Sequence, residues 1–251
     1  MAGHVLNLQS SEPTEQKVAF LKRADSYPIE TSGVSVIESH MAFVFLTDRF
    51  AFKLKKPVKN TYLDFSTVAR RKVDCAREVQ LNRRLAANVY YGMVPLFMEK
   101  QDASRFRLGE CQDTNGPSDA AGIVDWLVMM RRLPASLMLD VAIRNRTVDE
   151  RAVDEVGMLL ARFYRHNLPI RIAAEEYLQR LAGEIVGNQV ELVLKKDVLP
   201  APQIADVVFL QKEFLAANQD LLAQRVSSHR IVDGHGDLRP EHVCLEHPPV
   251  I

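Results

Sequence analysis

Near the C-terminus the run Ile231-Val232-Asp233-Gly234-His235-Gly236-Asp237-Leu238-Arg239-Pro240-Glu241-His242-Val243-Cys244-Leu245 gathers carboxylates, imidazoles and a thiol in a short space. Asp237 follows a glycine, so backbone and substrate can both approach its carboxylate closely, and His242 stands five residues further on. In phosphoryl transfer to an alcohol, an Asp accepts the hydroxyl proton and a ligand a few residues later in the same loop holds magnesium. That chemistry fits Asp237 as base and His242 near a metal. Two other readings use the same residues. Asp237 can simply cap a turn, as Asp does in many loops. His235, His242, Cys244 and His247 have the donor types of a transition-metal site, but their spacing matches no common zinc pattern and strand alternation would split them across two faces.

The elements that must hold these residues are read from the pattern around them. Ile231-Val232 and Val243-Cys244-Leu245 are apolar pieces around a polar stretch with two glycines and a proline, which predicts strand, sharp loop, strand. Far upstream, Val34 to Glu38 alternates, Met41 to Leu46 is apolar, Thr47-Asp48-Arg49 is a turn and Phe50 to Leu54 a third strand, together a meander. On that third strand Ala51, Lys53 and Lys55 share one face and Phe52 and Leu54 the other. Thr67 to Ala87 lacks Gly and Pro and reads as a helix, with Glu78 on its inward stripe beside Cys75, Leu81 and Leu85. A carboxylate there needs a cationic partner, because burying it alone costs several kcal/mol. A lysine on a solvated sheet face is the plainer alternative for Lys53 and Lys55.

The remaining elements follow in order. Thr14 is expected to cap a helix running to about Ala24, and Met93 to Met98 and Ile123 to Met130 read as strands. Gln101 to Ala121 reads as a hairpin tip or loop. After Arg131-Arg132-Leu133-Pro134 the period becomes helical, which predicts a domain boundary there. Helices are expected over Val148 to His166, with Thr147 as cap and Glu150 completing a capping box, over Ala173 to Val186, and over Ala205 to Val226. Gln189 to Val198 reads as a connector or a short helix.

Composition narrows the setting. The chain has 251 residues with 32 basic and 32 acidic side chains, so nothing global draws it to nucleic acid or an anionic membrane. The first third is locally basic, through Lys53, Lys55, Lys56 and Lys59 and then Arg70, Arg71 and Lys72. Cys75, Cys111 and Cys244 are widely spaced and suggest neither disulfides nor a zinc site. With no leader pattern and no long apolar run, a reducing cytoplasm is the expected location.

The string His-Gly-Asp-Leu-Arg-Pro-Glu-His resembles the catalytic loop of the aminoglycoside phosphotransferase and choline kinase-like group, distant relatives of protein kinases, and within it an uncharacterised bacterial branch. The resemblance implies an α+β, bilobal protein-kinase-like fold, with a nucleotide-binding lobe over residues 1–132 and a mainly helical lobe carrying the catalytic loop over 133–251. It implies ATP-dependent phosphorylation of a small-molecule hydroxyl, with ATP and magnesium as cofactors and Asp237 as the base. His242 stands where most relatives have a metal-binding Asn. Ala51-Phe52-Lys53 resembles the strand that ends in the phosphate-binding lysine, and Arg77-Glu78-Val79 the helix whose glutamate holds it. Lys53 and Glu78 are therefore expected to pair, with Lys55 as the fallback.

No glycine-rich loop joins the first strands, so Ser39 and His40 are the expected phosphate cover. Ile123 to Met130 would be the edge strand and hinge, where the backbone of Val128 to Met130 would pair with adenine. Asp140, Arg144, Arg162, Tyr164 and Arg165 are candidate lining for an acceptor pocket. In the family a further metal-binding Asp follows the strand begun by Val250-Ile251; this sequence has no counterpart, which predicts a chain cut in mid-hairpin and weak or absent transfer by these residues alone. Many members of the branch carry a P-loop kinase domain downstream. The alternative from another class is a non-catalytic pseudokinase module that binds nucleotide or a partner domain; a zinc-dependent hydrolase using the histidines is a third reading.

Overall fold

The computed structural model describes residues 11–59, 63–99, 102–114, 121–194 and 199–251. The protein is α+β. Its strands are β1 (Ser35–Glu38), β2 (Ala42–Leu46), β3 (Phe50–Lys55), β4 (Tyr90–Glu99), β5 (Asp102–Leu108) and β6 (Ile123–Arg131), which form an antiparallel sheet in the order β1-β2-β3-β6-β4-β5. Its helices are α1 (Ser11–Leu21), α2 (Val68–Ala86), α3 (Leu139–Asn145), α4 (Glu150–His166), α5 (Ala174–Val193), α6 (Ala201–Ala217) and α7 (Gln219–Ser227). The chain divides into two compact units, residues 1–159 with 239–251, and residues 160–238. Among the described residues no helix is long and apolar enough to cross a membrane.

In the first unit, side-chain alternation along β3 decides what each face of the sheet holds. Phe52 and Leu54 join Phe45, Leu96 and Leu127 in a core closed by Leu21 of α1 and by Tyr27. On the opposite parity, Val128 and Trp126 of β6 and Met93 of β4 pack against Cys75 and Val79 of α2. Helix α2 starts where Thr67 accepts a hydrogen bond from the Arg70 amide through its side chain, so the first turn is capped. A third cluster, Ala86, Val89, Cys244 and Val250, ties residues 239–251 into this unit. Cys244 and Val250 exchange backbone hydrogen bonds of 2.9 and 3.1 Å, and Arg131 grips the Glu246 carboxylate with two bonds of 2.7 and 2.6 Å.

In the second unit α5 packs against α6 and α7. Val232 bridges to Pro169, and the Ile170 amide donates to the Ile231 carbonyl at 2.8 Å. Gly234 lies under the Tyr164 ring, where an added Cβ would stand 3.3 Å from its carbon edge. Gly236 has φ +82°, a left-handed conformation that glycine adopts without steric cost.

Several sequence expectations need correction. Thr14 lies inside α1, which starts at Ser11 and stops at Leu21. β6 is interior, paired on one side with β3 and on the other with β4, because Trp126, Leu127 and Val128 are buried on both faces. The stretch expected as a loop from Gln101 contains β5; its centre, 115–120, lies outside the described residues. The cap of α4 is Asp149, which accepts from the Ala152 amide at 2.6 Å, while Thr147 turns back to the Ala142 carbonyl. Helix α5 continues through Gln189 to Val193, and residues 195–198 lie outside the described residues. The single helix expected from Ala205 is two, broken at Asn218. The flanks of the 231–245 run are isolated bridges rather than strands, with a tight turn at Pro240–His242. The compact units do not divide at residue 132, since α3 and the C-terminal segment belong with the sheet.

One buried charge cluster had no sequence signal. Asp125 on β6 receives Lys17 from α1 at 2.7 Å and a two-pronged grip from Arg71 of α2 at 2.8 and 2.9 Å, and also the Trp126 amide at 3.0 Å. All three side chains are nearly sealed from solvent. Removing the carboxylate leaves two buried cations unmatched, so Asp125→Asn should destabilise the protein by about 3–5 kcal/mol, read as a lower urea midpoint at pH 7.

Candidate functional site

Alternation points Lys53 and Lys55 to the α2 side of the sheet, and both meet Glu78. Lys53 Nζ donates to Glu78 Oε1 at 2.8 Å and Lys55 Nζ to Glu78 Oε2 at 2.5 Å. Lys55 also pairs with Asp74, one helical turn before Glu78. The lysines differ in access: the Lys55 side chain is 6% exposed and that of Lys53 33%. An ammonium has three donors. Lys55 is committed to two carboxylates, whereas Lys53 is bonded to Glu78 and still reaches solvent, so Lys53 is the cation available to a ligand.

The electrostatics follow from burial against charge. Burial pushes the Glu78 carboxyl upward, but Lys53 and Lys55, through charge and hydrogen bonds, hold it below the ordinary glutamate value. For Lys55, burial opposes the charge, and Glu78 and Asp74 outweigh it, so its pKa rises. Beside them the Cys75 thiol is pushed up to about 12, chiefly by burial, which keeps it a neutral packing group.

The expected phosphate cover is arranged differently. Ser39 Oγ accepts from the Met41 and Ala42 amides at 3.3 and 3.1 Å and donates to the Ala42 carbonyl, so its hydroxyl closes the β1–β2 turn; His40 is exposed at its tip. Val128 and Met130 have ladder partners on both sides, Lys53 and Met93 for the first and Ala51 and Tyr90 for the second. An interior antiparallel strand gives its N–H and C=O groups alternately to its two neighbours, so this backbone is committed to the sheet and the adenine role is corrected.

The division between the units falls inside the His235–His242 string, after Leu238. In the second unit Asp237 is exposed, its amide donates to His235 Nδ1 at 3.4 Å, and the His235 amide lies 3.5 Å from the Tyr164 hydroxyl. The Asn167 side chain donates to the Asp233 carbonyl at 2.7 Å. These contacts fix the backbone of the loop, and Asp237 is exposed on it. Tyr164 and Arg165 also line a cleft of about 900 Å³. Asp140 and Arg144, by contrast, pair with each other along α3 at 2.8 Å.

In the first unit His242 ends the tight turn, with Nε2 3.3 Å from Arg239 Nη2. A guanidinium only donates, so this nitrogen accepts. A divalent cation at this nitrogen would compete with Arg239 for the same lone pair and face its charge. The zinc reading does not fit. Cys244 is fully buried, His247 bonds Glu155 at 3.0 Å, and among the described residues no three potential ligands come together.

No family model matches the sequence. Over 224 residues the chain is 30% identical to the uncharacterized proteins Rv2004c of Mycobacterium tuberculosis and Mb2027c of Mycobacterium bovis, an alignment that covers 88% of this chain and 41% of each relative. The chain thus spans about two fifths of the length of the curated relatives it matches.

The pH dependence of the Lys53, Glu78 and Lys55 cluster has a definite sign. A lowered carboxyl contributes stability that is present above the unfolded glutamate value and is lost as pH falls through the folded value; a raised lysine contributes stability below its unfolded value that is lost as pH rises through the folded one. The stability gap between wild type and Glu78→Gln should therefore be flat between about pH 6 and 9, roughly 3 kcal/mol in size, and shrink below about pH 4, measured by urea unfolding across the series.

Proposed function

We propose that this chain is the nucleotide-binding and acceptor-activating part of an ATP-dependent small-molecule phosphotransferase of protein-kinase-like fold. The observation that carries the reading is the graded pair on Glu78: a lysine from an interior sheet strand, held by a helix carboxylate yet still open to solvent, beside a second lysine that locks that carboxylate. A strand lysine fixed by a helix glutamate is a device for presenting one oriented positive charge to a polyphosphate. The same reading gives Asp237 the general-base role. An exposed carboxylate on a glycine-flanked, hydrogen-bonded loop can reach a bound hydroxyl and take its proton as the phosphoryl group arrives. His242 receives no metal role, and no step depends on it.

A second reading, a module that binds nucleotide without transferring phosphate, draws on the guanidinium beside His242, where the resemblance leads one to expect an oxygen donor. The two readings share the nucleotide and differ in turnover.

Calorimetric titration with ATP, with and without magnesium, tests what they share. Saturable binding is expected, weakened roughly tenfold or more in Lys53→Ala, which removes a charge-assisted contact. Lys55→Ala should instead act mainly on stability, lowering the melting temperature more than Lys53→Ala does. Absence of binding by wild type in both conditions would overturn the proposal.

A further inference from the structure

The cleft of about 900 Å³ in the second unit is large enough for a sugar-sized molecule. Arg165 from α4, Arg225 from α7 and Arg230 just beyond α7 all line it, and no Asp or Glu does. Some arginines elsewhere are paired with carboxylates, Arg71 with Asp125, Arg83 with Asp113 and Arg131 with Glu246. None of the three cleft arginines has a carboxylate partner among the described residues. Gathering like charges at one concavity without a counter-ion raises the energy of the empty cleft, and an anion relieves it. A guanidinium presents a planar fork that matches the oxygens of phosphate and carboxylate alike.

Two further features set what else the ligand carries and where it lies. Tyr164 and Tyr177 add ring faces and hydroxyls, which suit a polyhydroxylated body more than a bare ion. Ile231 and Val232, the residues that lead into the loop bearing Asp237, form part of the wall. Tyr164 also packs on Gly234 and brings its hydroxyl to the His235 amide, so the wall of the cleft and the loop are one construction.

We propose that this cleft binds the acceptor and that the acceptor is an oxyanion-bearing polyol, a sugar phosphate or a sugar acid, anchored by Arg165, Arg225 and Arg230 with a hydroxyl directed to Asp237. The assignment rests on the phosphotransfer reading for the word acceptor, while the anion site stands on the cleft alone.

The test uses the whole chain without nucleotide. Glucose monophosphate, glucuronate and glucose are titrated separately and followed by amide and arginine side-chain NMR shifts. Saturable binding of at least one of the two anions, with glucose inert, is expected, and the phosphate and carboxylate arms identify which oxyanion is preferred. Affinity should fall with added salt and should weaken roughly tenfold or more in the double variant Arg225→Ala with Arg230→Ala, both exposed positions, with an unchanged amide spectrum as the control for folding. Binding of neither anion, equal binding of glucose, or affinity unchanged in the double variant would overturn the proposal. Because ATP is absent, such a failure is distinct from failure of the nucleotide titration, which tests Lys53 in the other unit.

Discussion

A carboxylate taken out of water has to be met by positive charge, and in the first unit this requirement sets how α2 lies on the sheet. Glu78 is nearly buried, and its two oxygens are taken by lysines two residues apart on one strand. That arrangement is possible only if β3 keeps a strict alternation, with Phe52 and Leu54 in the opposite core. Asp125 meets the same requirement differently. Its oxygens are saturated by Lys17, by both prongs of Arg71 and by the Trp126 amide, all sealed from solvent, so it holds α1 and α2 to β6 and has nothing left for a ligand. The contrast separates a structural charge cluster from one open to binding: in the Glu78 cluster one cation is left partly in water.

The parts that could be read from sequence were those recorded in short-range periodicity. The alternation from Phe50 to Lys55 and the stripe expected through Cys75, Glu78, Leu81 and Leu85 each lie within a few turns or residues, and they bring Lys53 and Glu78 face to face, although Leu81 is exposed and Val79 is the residue buried beside Cys75. The Asp125 cluster left no such trace, because its partners stand 54 and 108 residues away and no local pattern links them. β5 was hidden by its composition: Asp102-Ala103-Ser104-Arg105 reads as loop, and a strand at the edge of a sheet tolerates polar residues. The caps failed for another reason. Thr147 and Asp149 are both good capping residues two positions apart, and the choice was made by the turn closing α3, where Arg146 takes a left-handed conformation.

The loop around Asp237 is fixed largely through its backbone. Gly236 supplies the left-handed bend, Gly234 lets the Tyr164 ring sit directly on the chain, and Asn167 and Tyr164 take up the neighbouring backbone groups. The Asp237 amide donates to the His235 ring, which holds the loop from within.

His242 is where the sequence resemblance and the local chemistry pull apart. An Asn in that position offers an oxygen, a hard donor with no charge of its own, whereas the imidazole here directs its accepting nitrogen at Arg239. The guanidinium of Arg239, 3.3 Å from that nitrogen, makes this corner of the turn positive. A cation held by the chain itself is better suited to meet an anion than to share a dication.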